Sequence, residues 1–209
     1  MPRRRPNPES QISPDEAKRA IYIDCEGFMD KSPALIGLLI GEQFEQVVLD
    51  PDLELVAKAR EHRMSSFKTE ATRLYELSED ESRMIVAYSQ HEKNMFLEYA
   101  GSDLTNKYRD ARKIAVRWKN TLHRDEELPG RGLKDFLKFI GYHRGSHLGD
   151  KKTTSRLRAV RDMIVRRGNY ELLTPVAKGK WTKLLEHNLI DCDGMRELVI
   201  KAAKEMANT

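Results

Sequence analysis

Hydrophobic and polar positions follow two regimes along the chain. Short apolar runs at residues 20–24, 34–40 and 44–49 are separated by Gly, Asp, Lys, Ser and Pro. Runs of that length, rich in Ile, Leu and Val and bounded by turn formers, predict strands, here three in an antiparallel meander. Helices are expected over 53–63 and 68–77, followed by a strand buried on both faces at 84–88, Met-Ile-Val-Ala-Tyr. Beyond it the period becomes helical, beginning with a helix over 92–99. Leu104, Tyr108, Ala111, Ala115, Trp118 and Leu122 then recur at alternating four- and three-residue steps, the buried stripe of one helix. A shorter helix is expected over 132–140 with Gly141 as its stop, then a polar loop at 145–153 and helices over 155–166 and 181–206. Strands first, one further strand, then helices: the order predicts an α/β fold, a mixed sheet with helices packed on it.

Composition narrows this to one domain. A chain of 209 residues can bury a single sizeable core. Residues 1–17, with several prolines and arginines and few large apolar groups, read as a loose basic tail ahead of a domain over 18–209. Within that tail Ser13-Pro14-Asp15-Glu16 has the residues of a helix cap. The longest apolar stretch, 34–40, is interrupted by Gly37 and far shorter than the about 20 residues a membrane span needs, so no membrane partner is expected. Basic residues at the start have no apolar segment behind them, which predicts a cytoplasmic protein. Cys25 and Cys192 form neither a disulfide framework nor a zinc motif and read as small core fillers. A net charge of +4 and a pI near 9.0 tilt the choice of partner toward polyanions without deciding it.

Candidate chemistry lies in the carboxylates. Ile21-Tyr22-Ile23-Asp24-Cys25-Glu26-Gly27 ends an apolar strand in two acids. A side-chain period of two turns Asp24 and Glu26 to one face and Cys25 to the other. Adjacent carboxylates repel unless a cation lies between them, so a divalent ion is their natural partner, unless the strand stops at Ile23 and both are solvated loop acids. Glu92 follows the 84–88 strand in a first helical turn, where the helix dipole alone would also favour an acid. His91-Glu92 is no zinc-protease helix, because Met95 stands where a second His would be required. His187 and Asp191 lie four apart and share a face if the last helix runs unbroken through Asn188, although a polar surface face would contain them too.

Together these three places resemble the three motifs of the DEDD exonuclease superfamily, within the ribonuclease H-like fold. Asp24-x-Glu26 resembles the first motif. Tyr88-Ser-Gln-His-Glu92 looks like the branch of predicted nucleases with Glu in the second motif, and Asp191 preceded by His187 is similar to the third. Gly132-Leu-Lys-Asp-Phe-Leu-Lys-Phe-Ile-Gly-Tyr142 also looks like that branch's Leu-Lys helix, so the resemblance spans residues 20–203 in the correct order. Two departures are plain: most members have Asp where this chain has Glu92, and only three residues separate His187 from Asp191 where the His-type motif has four.

The resemblance implies a ribonuclease H-like mixed sheet and a 3′-to-5′ exonuclease that releases nucleoside 5′-monophosphates from single-stranded DNA or RNA. It implies that Asp24, Glu26, Glu92 and Asp191 hold two Mg²⁺ or Mn²⁺ ions and that His187 handles the attacking water. Nucleic-acid contacts are expected from Lys134, in the Leu-Lys segment, and from Arg156, Arg158 and Arg161, unless these belong to an ordinary solvated helix face. Two alternatives stay open: a structure-selective endonuclease on the same fold, and a non-catalytic nucleic-acid-binding or assembly protein on that scaffold.

Overall fold

The computed structural model describes residues 7–28, 32–143, 145 and 152–209. Much of the polar loop expected at 145–153 and the first residues of the expected tail lie outside them. Asn7–Ser13 lead into α1 (Pro14–Arg19), which Ser13 caps through a full capping box: Ser13 Oγ accepts from Glu16 N and Glu16 Oε2 accepts from Ser13 N. A 3₁₀ turn at Pro8–Ser10 seats this segment against α5 and β6.

The meander forms as expected from β1 (Ile21–Glu26), β2 (Leu35–Ile40) and β3 (Gln43–Val48), all antiparallel. β5 (Ile85–Ala87) pairs in parallel with β1. Two further strands were not expected. β4 (Arg63–Met64) adds in parallel to β3, and β6 (Tyr108–Asp110) in parallel to β5. The six-stranded sheet has the order β4-β3-β2-β1-β5-β6, and β2 alone runs against the other strands. The protein is thus α/β, with a mixed sheet and helices on both faces.

The single helix expected across 104–122 is corrected by β6. Leu104 and Tyr108 precede α5 (Ala111–Leu122), whose N-cap Asp110 accepts a hydrogen bond from Lys113 N. An Asx cap starts a helix more strongly than a matching period extends one backward. The stripe is still buried from Leu104 to Trp118, with Leu122 half-buried, because a strand entering a helix at a cap keeps its apolar residues inward. The helix expected over 53–63 likewise ends early: α2 spans Glu54–Ala59, and Glu61 takes positive φ before β4.

α3 (Phe67–Asp80) and the turn after α4 (Gln90–Met95) cover one face, with Phe67, Leu74, Phe96 and Tyr108 against Ile21, Ile23, Ile36 and Leu38. α5, α6 (Leu133–Phe139) and the C-terminal part of α8 cover the other, around Trp118, Tyr22 and Val86. Gly141 takes positive φ just past α6, the stop anticipated for it. α7 (Thr153–Arg167) packs with the N-terminal half of α8 around Trp181 and Leu157. α8 runs unbroken from Pro175 to Ala207, past the Asn188 position on which the His187–Asp191 reading depended. Among the described residues no helix is long and apolar enough to cross a membrane.

Candidate active site

The C-terminal end of β1, in the middle of the sheet, collects the acids. Alternation works as anticipated there: Tyr22 joins the core under α8, whereas Ile23 and Cys25 pack with the α3 face. Asp24 and Glu26 therefore face α8, and neither is a solvated loop residue. Glu26 is the last residue of β1 and 9% exposed. Glu92 enters from the first turn of α4, 7% exposed, where Ser89 Oγ donates to its Oε2 at 3.2 Å. Ser89 is itself the α4 cap, accepting from His91 N, and its carbonyl accepts from Tyr108 OH. His187 and Asp191 share one face of α8, with His187 Nε2 3.2 Å from Asp191 Oδ2.

These acids occupy one electric field. Burial pushes the Asp24 carboxyl well above the usual carboxylate range, and the charges of Glu26, Asp191 and Glu92 push it further, against the hydrogen bond from the Asn188 amide. Burial raises Glu26 to about 7. A hydrogen bond from Thr153 and the His187 imidazole oppose that rise, and Asp191 and Glu92 add to it. Burial also raises Glu92. The Cys25 and Cys192 thiols are driven far up by burial and by the same acids, which keeps them neutral and poor metal ligands.

Among the described residues no three His, Cys, Asp or Glu side chains are arranged to hold a metal ion as they stand. Repulsion acts over several ångströms, whereas coordination brings every oxygen within about 2.0–2.6 Å of the ion. The acids therefore share a field without sharing a coordination sphere. By donor chemistry the set fits a hard divalent cation, since carboxylate oxygens suit Mg²⁺ and Mn²⁺.

Residues outside the expected ligand set hold Asp24. Asn188, fully buried on α8, donates from Nδ2 to the Asp24 carbonyl at 2.9 Å and to Asp24 Oδ2 at 2.8 Å. Gln46 on β3 donates to Asn188 Oδ1 at 2.9 Å. Gly37, opposite Asp24 in the β1–β2 register, makes room for the amide, because a Cβ there would lie 2.1 Å from Asn188 Oδ1. A glycine inside an apolar strand was the one sequence signal for this close approach. Thr154 Oγ1 donates to the Gly27 carbonyl at 3.2 Å, which ties the start of α7 to the end of β1.

The expected nucleic-acid contacts scatter. Arg156 is only 6% exposed, so it is not the solvent-facing cation that the α7 pattern suggested. Arg161 lies 4.2 Å from the Phe28 ring centre, beside the end of β1. Arg158 and Lys134 are exposed. A cleft of about 240 Å³ opens beside Glu26, walled by Phe28, His91 and Thr154. Comparison with protein-family models, curated proteins and solved structures finds no match.

Proposed function

We propose that this protein is a metal-dependent nuclease of the ribonuclease H-like fold, hydrolysing phosphodiester bonds from the 3′ end of single-stranded nucleic acid. The observation that carries the reading is the common field of four carboxylates drawn from three distant segments: the end of β1, the first turn of α4 and the middle of α8. Glu26 and Glu92 are buried and Asp24 and Asp191 largely covered, and gathering acids in such a place is costly without a positive partner. A meander continued by parallel strands, with acids at the end of the central strand, supports the fold assignment.

In this reading Asp24, Glu26, Glu92 and Asp191 hold the ions. Two Mg²⁺ or Mn²⁺ ions held there would supply activation of water and stabilisation of the leaving oxygen. Asn188 fixes the Asp24 carboxylate, and the Ser89 hydroxyl fixes Glu92. His187, tied at Nε2 to Asp191, orients that carboxylate and is the group assigned to take the proton of the attacking water.

Asp24→Asn and Asp191→Asn, incubated with a 5′-labelled oligonucleotide and Mn²⁺, are expected to lose hydrolysis while melting cooperatively. Parental turnover in either variant refutes the site. Cleavage of a closed circle would redirect the reading to an endonuclease. A non-catalytic binding role has one observation in its favour, the absence among the described residues of three ligands arranged to hold an ion. Release of nucleoside monophosphate would exclude it.

A further inference from the structure

A cavity of about 780 Å³ lies between the N-terminal segment and α5, with Ser10 on one wall, Arg112 and Arg117 on the other, Arg131 at its rim and Gln90 and His91 at its inner end. The lining contains no Phe, Tyr or Trp. Arg112 and Arg131 are exposed and make no ion pair among the described residues, and Arg117 donates only to the Ser10 carbonyl, at 3.4 Å. Asp110 is the one carboxylate in the lining and lies against Lys113, so arginines without an acid partner among the described residues repel one another, an arrangement that an anion relieves.

Two observations point to a strand rather than a small anion. His91 lines both this cavity and the cleft beside Glu26, so one side chain borders both spaces. A chain with a phosphate at the carboxylates would continue past His91 into the basic cavity. The second is Glu9, whose carboxylate already sits among cations: 2.8 Å from Lys93 Nζ, 2.5 Å from Lys113 Nζ and 3.1 Å from Gln90 Nε2. Glu9 and Asp110, whose Oδ2 lies 3.8 Å from Lys113 Nζ, together balance the two lysines at the cavity's edge and leave the arginines as its net charge.

We propose that this cavity binds the sugar-phosphate backbone of a nucleic-acid strand, with Arg112, Arg117 and Arg131 as phosphate contacts and Glu9 limiting affinity by occupying Lys93 and Lys113. The direction of the strand rests on the nuclease reading above; the binding does not, because it needs no metal. With no Phe, Tyr or Trp to stack a run of bases, the cavity reads backbone charge and not base identity.

The test is fluorescence anisotropy of a labelled oligothymidylate with the full chain in EDTA, across a range of NaCl concentrations. Arg112→Gln combined with Arg131→Gln is expected to weaken binding about tenfold and to flatten the plot of log K against log salt by about 1.4, two single-strand phosphate contacts. Glu9→Gln is expected to tighten binding severalfold. Arg112 and Arg131 are exposed whereas Glu9 is largely covered, so thermal melts check that both variants fold. Parental affinity and slope in the double-arginine variant overturn the proposal. So does an absence of strand binding by the parent, or competition by thymidine monophosphate as effective as that by the oligonucleotide. Strand binding that falls as expected, with no Mn²⁺-dependent hydrolysis, sustains the cavity and refutes the nuclease reading instead.

Discussion

Asn188 has no chemistry of its own, yet Asp24 depends on it. Its amide satisfies a buried carbonyl and a buried carboxylate, and its own oxygen is satisfied by Gln46. Removing one partner of such a set leaves groups unsatisfied, at about 1–3 kcal/mol. Asn188→Ala is therefore expected to lower the urea midpoint by that order and to reduce hydrolysis, whereas Asn188→Gln should fold less well than its chemistry suggests, for want of room. Gly37→Ala tests the same contact from the strand side: the added methyl meets Asn188 Oδ1, and loss of stability near that of Asn188→Ala is the expected result. A Gly37→Ala variant as stable and active as the parent would remove Asn188 from the account. At this scale Asp24, Glu26 and His187 were legible, since alternation and helical spacing are local rules. Asn188 was not, because its function lies in a register partner contributed by another strand. The burial of Arg156 was not legible for the converse reason: a charged residue in a basic helix looks solvated until the packing of α7 on α8 is known.

Among the elements, the meander could be read from sequence because each strand pairs with its neighbour across a short turn. β4 and β6 could not, since each falls inside a stretch whose spacing reads as helix, whereas the equally short β5 stands out as an unbroken apolar run. β6 matters to the site through its last residue. Asp110 caps α5 through Lys113 N and accepts from Gln90 Nε2 at 3.1 Å, which links β6, α5 and the first turn of α4 that carries Glu92. Asp110→Ala is expected to cost about 1–2 kcal/mol, the usual loss for a cap, read as a drop in melting temperature. Asp110→Asn retains the cap and the Gln90 contact and should recover most of it. If alanine and asparagine behave alike, the charge near Lys113 is the stabilising feature and the cap is not.

Across the whole molecule α8 unites the layers, touching α1, α5, α6, α7, β1 and β2 while carrying His187, Asn188 and Asp191. Carboxyl groups at that junction then couple global stability to pH. Glu26, raised to about 7 chiefly by burial, binds its proton more tightly folded than unfolded, where the value is 4.5. Between those values the native state holds more protons, so its contribution to stability is present in full below about 4.5 and is lost as pH rises toward 7; Asp24 and Glu92, also raised, act in the same direction. Glu70 opposes them at a lower window, because Arg63, Ser65 and Arg73 overcome its burial and hold it at about 2. His62, lowered mainly by burial, has the opposite sign nearer neutrality. Comparing the parent with Glu26→Gln cancels these other groups. In EDTA the variant is expected to melt above the parent at pH 8 and to lose that advantage at pH 5. Added Mn²⁺ should reverse the order at pH 8, because a cation that binds only the folded acids stabilises the parent by mass action and the amide variant less. Equal melting temperatures of parent and variant at pH 8, with and without Mn²⁺, would mean that Glu26 carries no buried charge and that the four acids are not a metal site.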